Sequence, residues 1–352
     1  MLSSTTILLS LIISVSVVQA VGLIEALQNA GASEYAQFIQ SDPSIAALYA
    51  SSNVQTVFAP IDGSVLPSLP SRKRQANPTS ERQAEYQGMR NINRLGASSV
   101  PPGAILPSND NSANTGGQSQ VAVTNPSNAT QSPSEKRWLA NIKRANGTYP
   151  SLLKVYTGLG NYVNIIKADI PYDGGLIQIV DNYFTLPQSL SSTASANGHT
   201  SFLSAANSTN ATSILDNTPS ITAFIPSNAA FSNRTAATSY ASSSNLLSGH
   251  IIPNFLGYLP ALTNGATYQT QAGGNITITI RGGQYFVNNA KIIASNQILE
   301  NGVAHIIDSI IIPSTPHVSF NGATSFTGGF SSGFVLVGSL ALSFAAALFF
   351  RV

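Results

Sequence analysis

Four groupings in the sequence have residue types that chemistry uses. Gly329-Phe330-Ser331-Ser332-Gly333 fits the G-x-S-x-G turn that presents a nucleophilic serine. Gly158-Leu159-Gly160 begins like a phosphate-cradling glycine turn. Asp169 and Asp173 flank Pro171 as paired carboxylates, and His199, His250, His305 and His317 are the imidazoles. Each grouping lacks its context. Ser331 has no strand before it and no helix after it, and the glycine turn lacks its third glycine. Two acids in one short loop do not straddle a cleft as glycoside hydrolysis requires. The histidines show no H-x-x-x-H spacing and no neighbouring acid cluster, and cysteine is absent, which removes thiolate metal sites and cysteine nucleophiles. The expectation is a non-enzymatic chain with no catalytic residue, cofactor or metal.

Chemistry done to the chain is better signalled. Six Asn-x-Ser/Thr sequons stand at Asn128, Asn146, Asn207, Asn210, Asn233 and Asn275, while Asn217 is spoiled by Pro219. Three dibasic pairs, Lys73-Arg74, Lys136-Arg137 and Lys143-Arg144, are candidates for a kexin-type protease of the secretory pathway. Both ends read as addresses. Residues 2–18 form an uncharged apolar run ending at Val18-Gln19-Ala20, a secretory signal cut after Ala20. Near the C-terminus, small residues Asn321-Gly322-Ala323 precede a polar spacer and the apolar run Phe334–Phe350, the order of a glycolipid-anchor signal with attachment at Asn321, Ser325 and Gly322 being the alternatives.

The elements that must carry these groups follow from periodicity. Leu23, Leu27, Tyr35, Phe38, Ile39, Ile45 and Leu48 fall at helical spacings, giving two short helices broken near Gly31 and Asp42-Pro43. Val54–Ala59 reads as a strand stopped by Pro60, and Val163–Ile170 and Leu176–Val180 as strands joined through Asp173-Gly174-Gly175. The second half repeats the order. Phe202–Leu215 is helical, Ile221–Ile225 is a strand stopped by Pro226, and a helix starts at Ala229. Asn275–Ile280 and Gln284–Val287 form a hairpin through Arg281-Gly282-Gly283, followed by strands Lys291–Ala294 and Val303–Ile312. One succession occurring twice predicts two copies of one domain.

Between the halves of the first copy, residues 72–144 carry ten basic and four acidic side chains, net +6, which leaves −4 for the rest of a chain whose overall charge is +2. Pro, Ser and Asn are abundant there, so residues 70–148 are expected to be a mostly flexible basic insert able to hold anionic wall polymers or lipid headgroups. A net +2 over 352 residues excludes a nucleic-acid partner.

The paired motifs resemble the fasciclin (FAS1) domain family. Thr56-Val57-Phe58-Ala59-Pro60-Ile61-Asp62 and Thr222-Ala223-Phe224-Ile225-Pro226-Ser227-Asn228 are similar to its first signature. Gly175–Asp181 and Gly302–Asp308 are similar to its second, with Gln178 where the signature histidine, His305 in the second copy, would stand. Gly249-His250 approximates the family's Tyr-His pair, and the first copy shows no counterpart. The resemblance implies an α+β fold of two tandem domains, each a twisted β-sandwich or wedge with packed helices. The expected boundaries are a signal over 1–20, domains over 21–187 and 188–314, and linker plus anchor signal over 315–352. Phe58 and Phe224 would face the core, Asp62 or Asn228 would cap the helix that follows, His305 would make a buried hydrogen bond, and Asp308, like Asp181, would pin a strand end.

The function implied is that of a fungal-type, glycolipid-anchored surface glycoprotein mediating cell adhesion or wall contact. Its partners would be a surface or matrix protein, a wall glycan, the membrane through the anchor, and further copies of itself. The alternatives are a structural wall or morphogenesis component without a discrete receptor and, third, a carbohydrate-active enzyme.

Overall fold

The computed structural model describes residues 21–64, 78–95, 103–125, 153–232 and 244–311. The first repeat runs α1 (Leu23–Ala30), α2 (Ser33–Ser41), α3 (Pro43–Ala50), β1 (Thr56–Pro60), α4 (Pro78–Gln87), β2 (Gly88–Met89), β3 (Ile105–Pro107), β4 (Val121–Asn125), β5 (Lys154–Tyr156), β6 (Tyr162–Tyr172) and β7 (Gly175–Val180). The second runs α5 (Leu190–Ala196), α6 (Thr200–Ser208), α7 (Thr212–Asn217), β8 (Ile221–Pro226), α8 (Asn228–Ser232), α9 (Ser244–Ser248), β9 (Ile251–Ile252), β10 (Thr267–Gln269), β11 (Asn275–Arg281), β12 (Gln284–Val287), β13 (Ala290–Leu299) and β14 (Gly302–Ile307).

The strand orders are β2-β1-β7-β6-β5-β4-β3 and β9-β8-β14-β13-β12-β11-β10, so the two seven-stranded sheets agree strand for strand. In each, the first long strand lies parallel to the last, β1 on β7 and β8 on β14, and the other pairings are antiparallel. Parallel neighbours buried on both faces carry continuous apolar runs rather than alternation. Val57 and Ala59 accordingly face the helices of the first repeat, while Phe58 faces a second core. That second core takes a side chain from all seven strands, including Met89, Leu106, Ala122, Val155, Val163 and Val180, so the sheet curls into a barrel-like shape. Phe224, Ile252, Ile276, Val287, Ala290 and Ile307 build its counterpart, with Tyr268 packed on it.

Local signals set the joints. Gly31 ends α1 in the left-handed conformation, φ 87°, which costs a side-chain-bearing residue more than glycine. Asp42 Oδ1 accepts from Ser44 N–H to start α3, with Pro43 in the first turn. Gly282 and Gly283 both have positive φ, as a two-residue hairpin between β11 and β12 demands.

Several expectations change. Three helices, not two, precede β1, because Asp42-Pro43 starts α3 as well as ending α2. Pro60 and Pro226 are the last paired residues of their strands, opposite Val180 and Ile307. β6 runs through Pro171 to Tyr172, with Pro171 exposed and paired to Leu176. The expected flexible insert holds α4, β2, β3 and β4, whose Ala84, Tyr86, Met89, Leu106, Ala122 and Val123 are fully or almost fully buried. These strands are too short, and α4 too polar, for periodicity to reveal them.

Candidate functional site

In the second repeat the two signatures meet across β8 and β14, where Phe224 and His305 are register partners with ring centroids 5.7 Å apart and nearly parallel. His305 Nε2–H donates to Gly257 O at 2.8 Å, and its Nδ1 accepts from Asn296 N–H at 3.4 Å. Thr222 Oγ1 donates to Phe255 O at 2.6 Å and accepts from Gly257 N–H at 2.8 Å. The threonine therefore clamps the segment whose carbonyl the histidine binds.

The first repeat builds the same device from other residues. Thr56 Oγ1 donates to Asn91 O and accepts from Asn93 N–H, at 2.6 and 2.8 Å. Gln178 Nε2 donates to Asn93 O at 2.9 Å, and its Oε1 accepts from Asp169 N–H at 3.0 Å. Asp169 and Asn296, the two N–H donors, both have positive φ (59° and 56°) and both lie at register shifts of their strands. A bulge in each strand turns its N–H toward the Gln178 or His305 side chain. Asp169, one of the two loop acids set aside as a hydrolytic pair, also accepts from Gln178 Nε2 and Leu95 N–H and so serves this network.

His250 is buried with Nδ1–H donating to Leu246 O at 2.7 Å and Nε2 accepting from Ile311 N–H at 2.9 Å. Burial pushes both His250 and His305 down to about 4, so each is a neutral imidazole of fixed tautomer at ordinary pH. The strand register puts Gln87 where His250 stands, since Val57 pairs with Gly88 as Ala223 pairs with Ile251. Tyr86-Gln87 is thus the first-repeat counterpart of Gly249-His250. No linear motif marks it, because glutamine replaces histidine inside a segment of insert-like composition.

The signature Asn228 does not cap the helix that follows it, and the expected cap at Asp62 falls on residues 65–77, outside the described residues. Asp62 Oδ1 accepts from Glu34 N–H at the start of α2, and Glu34 Oε2 answers by accepting from Gly63 N–H. Asn228 Oδ1 likewise accepts from Ser201 N–H at the start of α6, and its Nδ2 donates to Gly198 O. The helix beginning at Asn228 is capped by Ser227 Oγ, which accepts from Ala230 N–H. Each Asp or Asn ties the turn after the first long strand to the preceding helical layer. Asp181 accepts from Asn164 N–H, and Asp308 from Lys291 N–H, so both hold the start of the neighbouring antiparallel strand.

The profile of the Fasciclin domain matches residues 197–313. The second repeat is a fasciclin domain. A fasciclin-like arabinogalactan protein of Cercospora beticola is 33% identical over 45% of this chain and 44% of its own length. One from Arthroderma benhamiae is 32% identical over 45% of this chain and 38% of its own length. The chain thus spans less than half the length of these curated relatives. The solved structure of a FAS1 domain pair from the insect cell adhesion molecule fasciclin I covers 81% of this chain and 98% of that chain, at 14% identity and a TM-score of 0.36.

The fasciclin domain is joined to the first repeat by groups from the supposed insert. Arg82 Nε binds Asp110 Oδ2 at 3.0 Å, Nη1 binds Glu300 Oε1 at 3.1 Å, and Nη2 donates to Pro187 O. Gln120 Nε2 donates to Leu299 O, and Asn114 N–H to Glu300 O. Val121 and Val123 of β4, with Ile105, pack against Leu256, Tyr258, Ile298 and Val303 of the fasciclin domain. Gly158-Leu159-Gly160 belongs to this joint and not to a nucleotide site. A Cβ on Gly158 would overlap the Leu186–Pro187 backbone, one on Gly160 would overlap the Gln297 amide, and Leu159 O accepts from Asn197 Nδ2.

Asn207, Asn210 and Asn275 are exposed. Asn128, Asn146, Asn233, Asn321 and the three Lys-Arg pairs lie outside the described residues, as do both terminal signals. Among the described residues there is no group of three or more His, Asp or Glu placed to hold a metal.

Proposed function

We propose that the chain is a non-enzymatic surface glycoprotein that mediates cell adhesion or wall contact through two fasciclin-type repeats. In this reading it is secreted by the signal over residues 1–20, spans domains 21–187 and 188–314, and is held by a glycolipid near Asn321. The observation that carries the reading is the fate of the signature residues. Thr56, Phe58, Gln178, Thr222, Phe224, His250 and His305 are all buried and spent on internal contacts, so what is offered to a partner is outer surface. Relatives named fasciclin-like arabinogalactan proteins support a place at the surface or wall.

Phosphatidylinositol-specific phospholipase C applied to intact cells should release the protein, and soluble residues 21–320 should bind wall glycan or cells in aggregation assays. Mature protein that still carries Phe334–Phe350 by mass spectrometry sinks the anchor. Absence of binding to cells or glycans favours the structural wall component, and turnover of wall polysaccharide would favour an enzyme.

A further inference from the structure

We infer that Asn275 carries an N-linked glycan that covers the face by which a further copy would stack, making it the end cap of the repeat array. Strand pairing sets the correspondence between the repeats. Gln178 and His305 fix the last strands as equivalent, and pairing then carries the equivalence outward: Ile165–Val180 matches Ile292–Ile307, Val155–Val163 matches Val287–Ala290, and Thr124–Val155 matches Ile278–Val287. The outward residues of the first repeat therefore have known counterparts. Ile105 corresponds to Thr267, Val121 to Asn275, Val123 to Thr277 and Tyr156 to Asn288.

In the first repeat Val121 and Val123 are buried against the fasciclin domain. In the fasciclin domain every counterpart is polar. Thr267 Oγ1 and Thr277 Oγ1 are 3.1 Å apart, Asn288 Oδ1 accepts from Thr277 N–H, and Thr267 and Asn275 are exposed. Asn275-Ile276-Thr277 is also a sequon, so the residue standing where Val121 makes the joint is a glycan acceptor.

The cap matters because part of the receiving face, Ile92 and Pro171, is exposed at the other end. Of the four residues packed against Val121 and Val123, Leu256 and Ile298 correspond to exposed Ile92 and Pro171 in the first repeat, while Tyr258 and Val303 correspond to exposed Arg94 and buried Leu176. Were Asn275 and Thr277 apolar like Val121 and Val123, their face could meet Ile92 and Pro171 of a further copy in a head-to-tail contact that does not close. In the modification, Asn275 Nδ2 bonds to the anomeric carbon of a lipid-diphosphate-linked oligosaccharide. The carbon–oxygen bond to the diphosphate breaks, the lipid diphosphate leaves, and one amide proton goes to solvent.

The inference rests on the proposed secretion. The test is glycopeptide mapping of the secreted full chain by mass spectrometry, with sedimentation of wild type and of N275V/T277V, which restores the first repeat's residue types and deletes the sequon. Occupied Asn275 and a monomeric wild type are expected, with the double variant self-associating at least about tenfold more tightly, as burial of added apolar side chains gives. Occupancy at Asn207 or Asn210 with Asn275 bare overturns the cap, as does a double variant that is folded by circular dichroism yet monomeric throughout. If the double variant does not fold, wild-type occupancy alone decides. A chain bare at every sequon instead overturns the secretion reading.

Discussion

Gln178 of the first repeat stands in the register position of His305 and makes both of its hydrogen bonds, one donated to the carbonyl of the clamped segment and one accepted from a bulge N–H. A primary amide presents a donor and an acceptor as a neutral imidazole does. The two differ in one respect. The imidazole takes up a proton at moderately acid pH, and the amide does not.

Acid should therefore weaken the fasciclin domain through its histidines. The folded-state values of His250 and His305 lie at about 4, below the ordinary histidine value, so the unfolded chain binds more protons between these limits. Stability is complete above about pH 6.5 and falls as pH drops toward 4, by on the order of 3 kcal/mol per histidine at the limit. Urea unfolding from pH 7.5 to 4.5 checks this. His305→Gln should remove about half of the pH dependence, leaving the His250 share, while folding normally at pH 7.5, and an unchanged slope would refute the assignment.

Arg82→Ala should cost about 3 kcal/mol, because it leaves the buried Asp110 carboxylate without its cation and cuts the link to Glu300. Glu300→Gln should cost less than about 1 kcal/mol, since Glu300 is 40% exposed and well solvated. Denaturant midpoints measure both. Equal costs would show that Arg82 matters through Glu300 rather than through Asp110.

Gly158→Ala should destabilise the joint by about 2 kcal/mol or more, as overpacking does, because the methyl group meets Leu186–Pro187 backbone that cannot step aside. Gly117→Ala, at positive φ but in open space, is the control and should cost only about 1 kcal/mol. Hydrogen exchange should report faster exchange at the backbone N–H of position 158, which donates to Thr185 O, in the first variant alone.

Much of this architecture could be read from local pattern. The Thr56 and Thr222 motifs, the glycine turns and the alternation of Asn275–Ile280 announce their elements without help from distant residues. The segment from Pro78 to Asn125 could not be read that way. α4 exposes few apolar residues and buries Gln83 and Gln87, whose amides are satisfied by Phe184 O and Phe58 O, far along the chain. A buried glutamine looks like a solvated one until its partner is known. The same holds for Asp62 and Asn228, which reach back across the fold to an earlier helix.

By itself the sequence determined the duplication, the order of helices and strands, and where glycans and processing enzymes could act. These depend on side-chain periodicity, on φ restrictions at glycine and proline, and on short linear motifs, all local properties. Only the tertiary structure decided that the described parts of the basic insert form the joint, that Gly158-Leu159-Gly160 serves packing, and that Val121 and Asn275 are the same position in two repeats. Those facts depend on register carried across successive strand pairs. Register is set by how whole sheets bury their faces, which no short stretch of sequence contains.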